Sequence, residues 1–600
     1  IFKMFVCAGP LAGNYTVGGL NPDFDDLEEV NNALSMCGVS DDVNFYIRSG
    51  SYGNVMLMET PVGTNDSTIV TFTSVAADAD SVNIVGSPAL SLMNTSYYRF
   101  THLTFDATAG GYAVQINGNT NNVEISNCKI LADPNSTATS TAGIYKASSA
   151  DLINDIRIIG NVIEGGYYGI YFYGGNSSSA YGTNVVIDSN IMRNQYLYAN
   201  YFYYVDFNSL SHNTMLSRRT STSTNWYGIR SYYCNFVADG NKIHQRSTAI
   251  TSPYLVYIYY AGYYNASQPS LFCNNELIGS SSTTYYAMYL GTYNVLNVYN
   301  NSIYMDGTGA SRCIYIASST SSSFDFKNNI IVNASSSGHV VYFAGTTTPC
   351  ISDYNCLYSP GNIGYFSSSY TTLAAWQSAT GTDAHSISVN PSFVDVSSSL
   401  ELTDYSAFIV PRLNNVTVDI NDVNRTILTM MGAYSIPLFE GYNLELTEII
   451  SPREVDDIHC FADYADIEVV VTNAGTNDYD FSVNNYSLHV EVTGAVNYQM
   501  DTIISSGNLS ALSKDTILLT DMLPVSMLGT YHINVYLSSA VDTVYTDDTL
   551  RNDYSVRKIQ LPYDVDFSTR PAELVFKQVL GSVNWEVQSG TGSNPTITPV

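Results

Sequence analysis

Positive charge is scarce in this chain: 23 Lys and Arg stand against 53 Asp and Glu over 600 residues, for a formal net charge of −30 at pH 7. Such a surface repels phosphate backbones, so we expect no nucleic-acid partner. Long apolar runs are missing too, because the nearest, residues 427–439, is short and interrupted by polar residues. We therefore predict no membrane span. Carboxylates are hard oxygen ligands, so the composition suits a calcium-containing medium; calcium is the candidate cofactor, and the metal ligands are unknown.

Tryptophan, with 3 residues, and charged residues, at 13%, are also few, whereas the chain has 50 tyrosines. A surface built from hydroxyl and amide groups suits strands and turns better than solvated helices. Nine cysteines are too few for a disulfide scaffold, and their odd number leaves at least one free or paired between chains. Cys350 and Cys356 are the closest pair, and without nearby His residues they do not form a metal motif.

A short repeated phrase dominates the middle of the chain: alternating apolar residues, an Asn, and an apolar residue two positions later. The copies centre on Asn161, Asn190, Asn213, Asn241, Asn275, Asn301, Asn329 and Asn355, and an earlier copy at Asn127 is shifted by one residue. The period of two before each Asn predicts a strand with one buried face. A spacing of about 28 residues is too short for a propeller blade of ~40 residues, so the repeat predicts a parallel β-helix. Stacked at ~4.8 Å, each Asn amide is expected to bond the turn backbone and the next Asn.

A second phrase, further along each repeat, places one outward residue between two apolar residues. Its central residues are Tyr171, Tyr257, Tyr289, Tyr315 and Tyr342, with Arg230 in line by analogy. We expect these residues to form a column on one exterior sheet. Two interpretations stay open: an aromatic strip that stacks sugar rings or a partner surface, or tyrosines that fit strands and stiffen the solenoid.

Polysaccharide cleavage needs paired carboxylates, or a basic residue beside carboxylates. The best candidate set is Asp188 and Asp239, two coils apart, with Arg218 and Arg219 in a loop between their coils. A solvated outer face explains the same residues without catalysis. The P-loop, nucleophile-elbow and His-Glu-x-x-His patterns are absent from the sequence.

The two ends of the repeat region carry recognisable segments. The first contains Pro10 to Gly19, Asn21-Pro-Asp-Phe24 and Asn44 to Tyr52, and the second contains Asn390 to Asp395, Asp419 to Arg425 and Met431 to Tyr434. They resemble the opening and closing segments of secreted Bacteroidota right-handed parallel β-helix (pectate-lyase-like) surface proteins, and the resemblance implies export by type IX secretion. Residues 25–36 predict an amphipathic helix that covers the open end of the solenoid, flanked by Cys7 and Cys37 at positions compatible with a disulfide.

From Asn443 the pattern changes to alternating strands separated by polar turns, which predicts an antiparallel sandwich. Val470 to Asn477, Gly529 to Val535 and Asp548 to Asp553 are similar to the cell-adhesion-related immunoglobulin-like domains of bacterial surface proteins. Residues 562–600 look like the start of a further β domain, so we expect the chain to be part of a longer protein. Triplets that resemble the Bacteroidota O-glycosylation sequon place candidate acceptors at Ser67, Ser81, Thr502, Thr516, Thr543 and Thr549.

The predicted fold class is all-β: a right-handed parallel β-helix solenoid, an antiparallel β-sandwich and the start of a further β domain. The predicted divisions are 1–52 (entry segment and helical cap), 53–383 (β-helix), 384–440 (exit or cap segment), 441–561 (immunoglobulin-like sandwich) and 562–600. The predicted function is that of a secreted cell-surface, filament or adhesin protein whose partners are glycans or sibling chains. The alternative is a polysaccharide lyase or glycoside hydrolase on the β-helix.

Overall fold

The computed structural model describes residues 7, 9–57, 59–147, 149–175, 181–220, 222–247, 249–262, 269–317, 322–346, 350–452, 464–556, 585–588 and 596–599. The chain divides into two compact units, residues 1–437 and 438–600. The predicted fold class is confirmed: the protein is all-β with about 4% helix, and a β-solenoid of about 12 turns precedes separate antiparallel sheets.

A short helix, Leu27–Cys37, packs at the beginning of the solenoid. Asp26 caps it by accepting a hydrogen bond from the Glu29 amide, and the helix ends at Gly38, whose φ of 64° lies in the left-handed region. Its apolar side, which includes Val30 and Leu34, is buried in the solenoid core. Cys37 is joined to Cys7 by a disulfide.

Three parallel faces make up the solenoid, and from Ser96–Thr101 onward each coil contributes one separate strand to each face. The first face precedes the repeated Asn and consists of Leu11–Val17, Val39–Ile47, Val70–Ser74, Ser96–Thr101, Thr120–Ser126, Ile153–Ile159, Gly182–Asp188 and Val205–Ser211, followed by Val237–Asp239, Ser270–Cys273, Val295–Tyr299, Ser323–Lys327 and Cys350–Asp353. The second face follows the Asn and consists of Gly50–Leu57, Val82–Met93, Thr104–Ala107, Lys129–Ala132, Val162–Glu164, Ile191–Arg193, Thr214–Leu216, Lys242–His244, Glu276–Ser281, Ser302–Gly307, Ile330–Asn333 and Cys356–Tyr358.

The third face is called the tyrosine face below. It begins with the ends of Gly50–Leu57 and Val82–Met93 and continues through Tyr112–Asn117, Ala142–Lys146, Tyr168–Tyr173, Tyr198–Tyr203, Tyr227–Tyr232, Tyr254–Tyr259, Tyr286–Leu290, Arg312–Ile316, His339–Phe343 and Asn362–Phe366, with Ser368–Tyr370 paired antiparallel at its end. The remaining regular element in this part of the solenoid is the 3₁₀ turn Ala79–Ser81. The repeat phrase predicts one strand before each Asn and one around each Tyr, whereas each coil from Ser96 onward has three strands. The strand after the Asn gives no signal in the sequence because it is too short to show a period of two.

The corner between the first two faces explains the repeated Asn. The residue before it adopts a left-handed conformation in coil after coil, as at Gly160, Ser189 and Gly240. The Asn then turns inward and is buried, and its Oδ1 accepts hydrogen bonds from the backbone N–H and the Nδ2 of the Asn in the preceding coil. The ladder extends from Asn161 to Asn355 with N···Oδ1 distances of 2.9–3.0 Å. In the shifted copy Asn127 occupies the left-handed position, so the Cys128 amide donates to Asn161 instead.

The last coil is closed by the helix Leu373–Thr380. Its Trp376 is 1% exposed and packs against Phe343 at a ring-centroid distance of 5.3 Å. The Trp376 indole N–H donates to Asp383, which also accepts from Ser386 and from the Nδ2 of Asn355, the last Asn of the ladder. The closing helix lies just before residues 384–440, the segment that the sequence predicts to be an exit or cap.

Residues 384–437, called the flank segment below, lie along the side of the solenoid. They contain two antiparallel hairpins, Phe393–Asp395 with Ser399–Leu402 and Ile409–Pro411 with Leu428–Met430. Side-chain amides at successive corners donate to the backbone of this segment: Asn274 to Val418, Asn300 to Met430 and Asn328 to Pro411. Arg425 is 2% exposed and donates to Asn274 and to the Gly432 carbonyl. The flank segment thus covers the outside of several coils.

The second unit begins as two antiparallel sheets around one core. One sheet contains Leu444–Ser451, Tyr464–Asn473 and Lys514–Pro524, and the other contains Tyr498–Ile504, Tyr486–Gly494, Gly529–Ser539 and Thr549–Val556; Tyr479–Asp480 pairs with Asn508–Leu509. Alternate residues such as Val469, Val490 and Val535 fill the space between the sheets. In the predicted further domain, Trp585–Gln588 pairs with Thr596–Pro599, and the rest of 562–600 lies outside the described residues.

Candidate functional site

The tyrosine face carries a central column of side chains that point outward. Register places Tyr145, Tyr171, Tyr201, Arg230, Tyr257, Tyr289, Tyr315, Tyr342 and Tyr365 side by side on consecutive strands. The six residues singled out from the sequence all lie in this column. Tyr145, Tyr201 and Tyr365 were missed because the phrase is interrupted beside them: Lys146 and Asn200 point inward and are 0% exposed, and Gly364 precedes Tyr365.

Lys146 carries the only charged side chain at the inward positions of the described strands of this face. Its ammonium group donates to the backbone carbonyls of Asp151 and Tyr173. Burial lowers the pKa of Lys146 to about 8. Lys146 therefore ties the end of one coil to the next and adds no cation to the outer surface.

Two further tyrosine columns flank the central one. On one side Tyr168, Tyr198, Tyr227, Tyr254 and Tyr286 stack at centroid distances of 4.9–5.3 Å, and on the other side Tyr173, Tyr203, Tyr232 and Tyr259 stack at 4.7–5.5 Å. Within a column most ring planes are nearly parallel, so the ring faces are largely occupied by neighbouring rings. The surface consequently presents ring edges and phenol hydroxyls. Of the two interpretations that the sequence leaves open, the stacking of sugar rings would need free ring faces.

A fourth set of tyrosines occupies the corner that follows the tyrosine face. Tyr204, Tyr233, Tyr260 and Tyr293 have φ values of 53–60°, in the left-handed region where Gly and Asn are favoured. A bulky residue there costs about 1–2 kcal/mol of backbone energy. Their rings nonetheless stack at 4.7, 4.2 and 5.4 Å. Strand propensity does not explain tyrosine at these positions, because the residues are in turns.

Arg230 interrupts the central column. Its guanidinium lies 5.1–5.5 Å from the ring centroids of Tyr198, Tyr201, Tyr227, Tyr232 and Tyr257. Nη1 donates to the Tyr198 hydroxyl at 2.6 Å and Nη2 to the Tyr232 hydroxyl at 2.9 Å. A cation over aromatic faces is stabilised by the ring quadrupoles, so the charge is held in place without a carboxylate.

Electrostatics make this face different from the rest of the chain. The outward positions of its described strands carry mainly tyrosines, with no Asp or Glu among them; the other residues include Arg230, Arg312, His339, Gln115, Asn117 and Asn362. Burial raises the pKa of Tyr198 to about 12, an effect that Arg230 partly offsets. Burial, and then the charge of Arg312, lowers the pKa of His339. The phenols are therefore neutral donors at physiological pH, and the guanidiniums are the charged groups of the face.

Asp188, Asp239 and Arg218 of the predicted catalytic set each have other hydrogen-bond partners. Asp188 accepts hydrogen bonds from the Ser209 hydroxyl and the Ser211 amide, and Asp239 accepts from Asn274 under the flank segment. Arg218 lies across the second face from them, donates to the Asn194 carbonyl at 2.9 Å and packs on Tyr196.

Arg219 lies close enough to Arg246 to lower the pKa of that residue, after the larger effect of burial. No ion pair or hydrogen bond in the described residues joins Arg218 or Arg219 to Asp188 or Asp239. The physical reason is order along the coil: the carboxylates precede the Asn corner, whereas the arginines follow the next strand.

A different acid–base cluster lies near the end of the first face. Lys327 forms an ion pair with Asp325 at 2.9 Å, and Tyr299 donates to the same carboxylate at 2.7 Å. In the next coil Asp353 aligns with Lys327 and forms a hydrogen bond with the His385 Nδ1 at 2.7 Å. Burial raises the pKa of Asp353, but the hydrogen bonds from the His385 ring and backbone outweigh it and hold that pKa below its usual value.

The candidate glycosylation acceptors lie in several environments. Ser67, Thr516, Thr543 and Thr549 are exposed, whereas Ser81 and Thr502 are half-buried. The Ser81 hydroxyl also donates to the Asp78 carbonyl. Within the described ranges, no group of three or more His, Cys, Asp or Glu side chains is arranged to hold a metal ion, and calcium stays a prediction. No helix in the described part of the chain is long and apolar enough to cross a membrane.

Comparisons with known proteins give little further information. No family model and no curated protein matches the chain. Among solved structures, the enzymatically active domain of tailspike protein 4 of bacteriophage CBA120 is 9% identical, with 88% of this chain and 66% of that chain covered at a TM-score of 0.21. The deglycosylated pectin methylesterase of Aspergillus niger is also 9% identical, with 66% of this chain and 95% of that chain covered at a TM-score of 0.15. At TM-scores this low, neither structure supports a conclusion about the fold or function of this chain.

Proposed function

We propose that this chain belongs to a secreted cell-surface or extracellular protein whose tyrosine face binds glycans. The observation that carries the proposal is the array of half-exposed phenol hydroxyls, which extends over consecutive coils without an acidic side chain. Glycans are polyols, and an array of neutral hydroxyl donors and acceptors at a repeat of ~4.8 Å matches a polymer of hydroxyl-bearing rings. Large aromatic patches on monomeric surfaces also mark interaction sites.

The turn tyrosines support this proposal against a purely structural role. Strand propensity accounts for tyrosine in the columns. At the corner where Tyr204, Tyr233 and Tyr260 lie, however, the left-handed backbone conformation favours Gly or Asn. Backbone strain that persists at a series of equivalent positions points to a role for the side chain. The corner residues widen the aromatic surface by one more column.

Export, surface display and the immunoglobulin-like assignment are parts of the same proposal. They are supported by the resemblance of residues 10–52 and 384–434 to secreted Bacteroidota β-helix proteins, and of the second unit to the cell-adhesion-related immunoglobulin-like domains of bacterial surface proteins. Type IX secretion machinery is the partner that this resemblance implies. Self-assembly through sibling chains is the competing use of the same face, and the chain's net charge of −30 opposes it at low ionic strength.

The test replaces hydroxyls while keeping rings. Tyr257 and Tyr289 stack at 4.8 Å, so the double variant Tyr257→Phe/Tyr289→Phe keeps the aromatic column and removes two hydroxyls from its middle. We expect binding to a panel of immobilised polysaccharides to fall about tenfold while the thermal unfolding temperature changes little. Tyr46→Phe is the matched control, because Tyr46 is exposed on a first-face strand. Unchanged binding by the double variant, or no binding by the unaltered chain, would exclude the tyrosine face as a glycan site.

A polysaccharide lyase or glycoside hydrolase is the second candidate. The observation that favours it is the cluster of Asp325, Lys327, Asp353 and His385, which sets a basic side chain between carboxylates on neighbouring coils. We expect Lys327→Ala to abolish any depolymerising activity found in a screen of polysaccharides. Lys129→Ala, which removes a lysine paired with Asp80 on a second-face strand, is the control that leaves the activity intact. Activity that survives Lys327→Ala would remove this cluster from consideration.

A further inference from the structure

We propose that the tyrosine face selects acidic glycans, which carry carboxylate or sulfate groups, through Arg230 and Arg312. This inference rests on the proposed glycan-binding function and specifies the class of glycan. Its starting point is a contrast: Lys and Arg residues are few in this chain, and yet two guanidiniums lie on a face that has no outward Asp or Glu.

Neither arginine has an acidic partner among the residues that the structure describes. The ion pairs of the described residues include Arg99 and Arg157 with Glu124, and Arg193 with Glu164, but none involves Arg230 or Arg312. Both are instead held over rings: Arg312 lies 3.8 Å from the Tyr342 centroid and 5.4 Å from that of Tyr315. The chain has 53 Asp and Glu residues that could have neutralised these arginines. Because the two guanidiniums lie over aromatic rings instead, their charges stay available to an external anion.

Arg230 retains hydrogen-bonding capacity after its contacts are counted. Nη1 donates to Tyr198 and Nη2 to Tyr232, which leaves the second hydrogen on each of these nitrogens for a ligand. The two hydroxyls hold the guanidinium in one orientation before any ligand arrives. A preorganised, half-buried guanidinium gives an anion a charge-assisted hydrogen bond at a reduced entropic cost.

The spacing of the two arginines favours a chain of sugars over a single sugar. Arg230 is in register with Tyr257, Tyr257 with Tyr289, and Tyr289 with Tyr315, which belongs to the same strand as Arg312. Three coil steps separate the guanidiniums, or about 14 Å along the solenoid axis at ~4.8 Å per step. One hexose ring does not span this distance, whereas an oligosaccharide lying over the intervening hydroxyls reaches both.

The charge of the whole molecule argues against a second copy as the occupant. A second copy brings a net charge of −30 toward another molecule of the same charge, and this repulsion is screened only beyond a Debye length of about 8 Å at physiological ionic strength. An acidic oligosaccharide brings a few charges and can align them with the two guanidiniums. The glycan is therefore the better match.

The experiment compares two probes that differ only in charge. One is a homo-oligouronate, and the other is the same oligosaccharide with its carboxylates reduced to alcohols. Binding of each probe to the full chain is measured by titration calorimetry. We expect Arg230→Gln and Arg312→Gln each to weaken uronate binding about tenfold and to leave the reduced probe unaffected. Arg157→Gln, on a first-face strand, is the control for a loss of positive charge elsewhere.

The outcomes separate this inference from the proposed function. Equal affinity for both probes, with no effect of either arginine variant, would overturn selection of acidic glycans while leaving the glycan-binding face intact. An equal loss for both probes would assign Arg230 a structural role in the tyrosine stack and would also overturn it. Binding of neither probe, together with a change in sedimentation of the Arg230→Gln variant, would overturn both proposals and make the face a contact between copies.

Discussion

The Asn ladder makes a quantitative prediction about the stability of the solenoid. In Asn241→Ala the buried side chain is lost from the middle of the ladder. The Asn213 backbone N–H loses the Asn241 Oδ1 acceptor at 3.0 Å, and the Leu210 carbonyl loses the Nδ2 donor at 2.8 Å. Both groups are then buried without a partner, at a cost of about 2 kcal/mol each, so we expect the coil to be destabilised by about 4 kcal/mol.

Local measurement is needed because repeat arrays do not unfold as a single two-state unit. Hydrogen exchange followed by mass spectrometry reports the opening of individual coils. A loss of about 4 kcal/mol corresponds to about a thousandfold faster exchange for the amides next to Asn213 and Asn241. Asn297→Ala is the matched control, because Asn297 is an outward-pointing amide on a first-face strand.

Two results would contradict this reasoning. If Asn241→Ala exchanged no faster than Asn297→Ala, the ladder would be a consequence of stacking and would contribute little stability. If Asn241→Asp were as stable as the unaltered protein at neutral pH, donation from Nδ2 would be unimportant, because a carboxylate keeps the acceptor and loses the donor.

Three further predictions concern other parts of the chain. Glu276 is buried and accepts hydrogen bonds from His244, from Tyr434 and from the Leu400 amide. Burial raises the pKa of Glu276, but these hydrogen bonds outweigh burial and hold the pKa below its usual value of 4.5. The stability that the hydrogen bonds give is therefore present above pH 4.5 and is lost as the pH falls through the folded-state pKa. Limited proteolysis should therefore cut the flank segment faster in acid, and Glu276→Gln should be cut readily at neutral pH as well; equal cleavage of both proteins at every pH would refute this. Burial, then Asp542 and Asp547, raises the pKa of Asp548 from 3.8 to about 7, so ionisation destabilises the second unit as the pH rises from 4 to 7. Thermal unfolding of the second unit should occur at a higher temperature at pH 5 than at pH 8, and Asp548→Asn should reduce this difference, whereas the exposed-residue variant Asp515→Asn should not. A Cβ at Gly364 would overlap the Trp376 indole, so Gly364→Ala should loosen the closing helix by about 1–3 kcal/mol and shift tryptophan fluorescence to the red; Gly53→Ala, where a Cβ meets no atom, should do neither.

Sequence reasoning was most successful where the solenoid repeats itself. The inward residues Ile156 and Ile158, predicted from a period of two, are buried in the first face. The tyrosine column was located but incompletely, since the inward Asn200 hid Tyr201 and the inward Lys146 hid Tyr145. The tyrosines of the left-handed corner carried no periodic signal, because a turn position is recognised by its backbone conformation and tyrosine is not a residue that predicts one.

The candidate catalytic set shows the opposite case. Coil spacing placed Asp188 and Asp239 near each other along the axis, but the position of Arg218 around the coil depends on a short strand that the pattern did not show. The acid–base cluster combines Asp325, Lys327 and Asp353, which lie on neighbouring coils, with His385, which follows the solenoid. Its members are unremarkable in the sequence, because no short motif contains all of them.

The sequence by itself determined the Asn corner of each coil, the inward residues of the strand before it and most of the central tyrosine column. In a solenoid, equivalent positions of successive repeats become neighbours in space, so a pattern along the chain is already a pattern of contacts. Only the tertiary structure decided where the flank segment lies. Arg425 bonds to Asn274, 151 residues earlier, and Tyr434 bonds to Glu276, 158 residues earlier, without any repeat relating the partners. Such contacts depend on the shape and polarity of a surface that exists only after the coils have stacked.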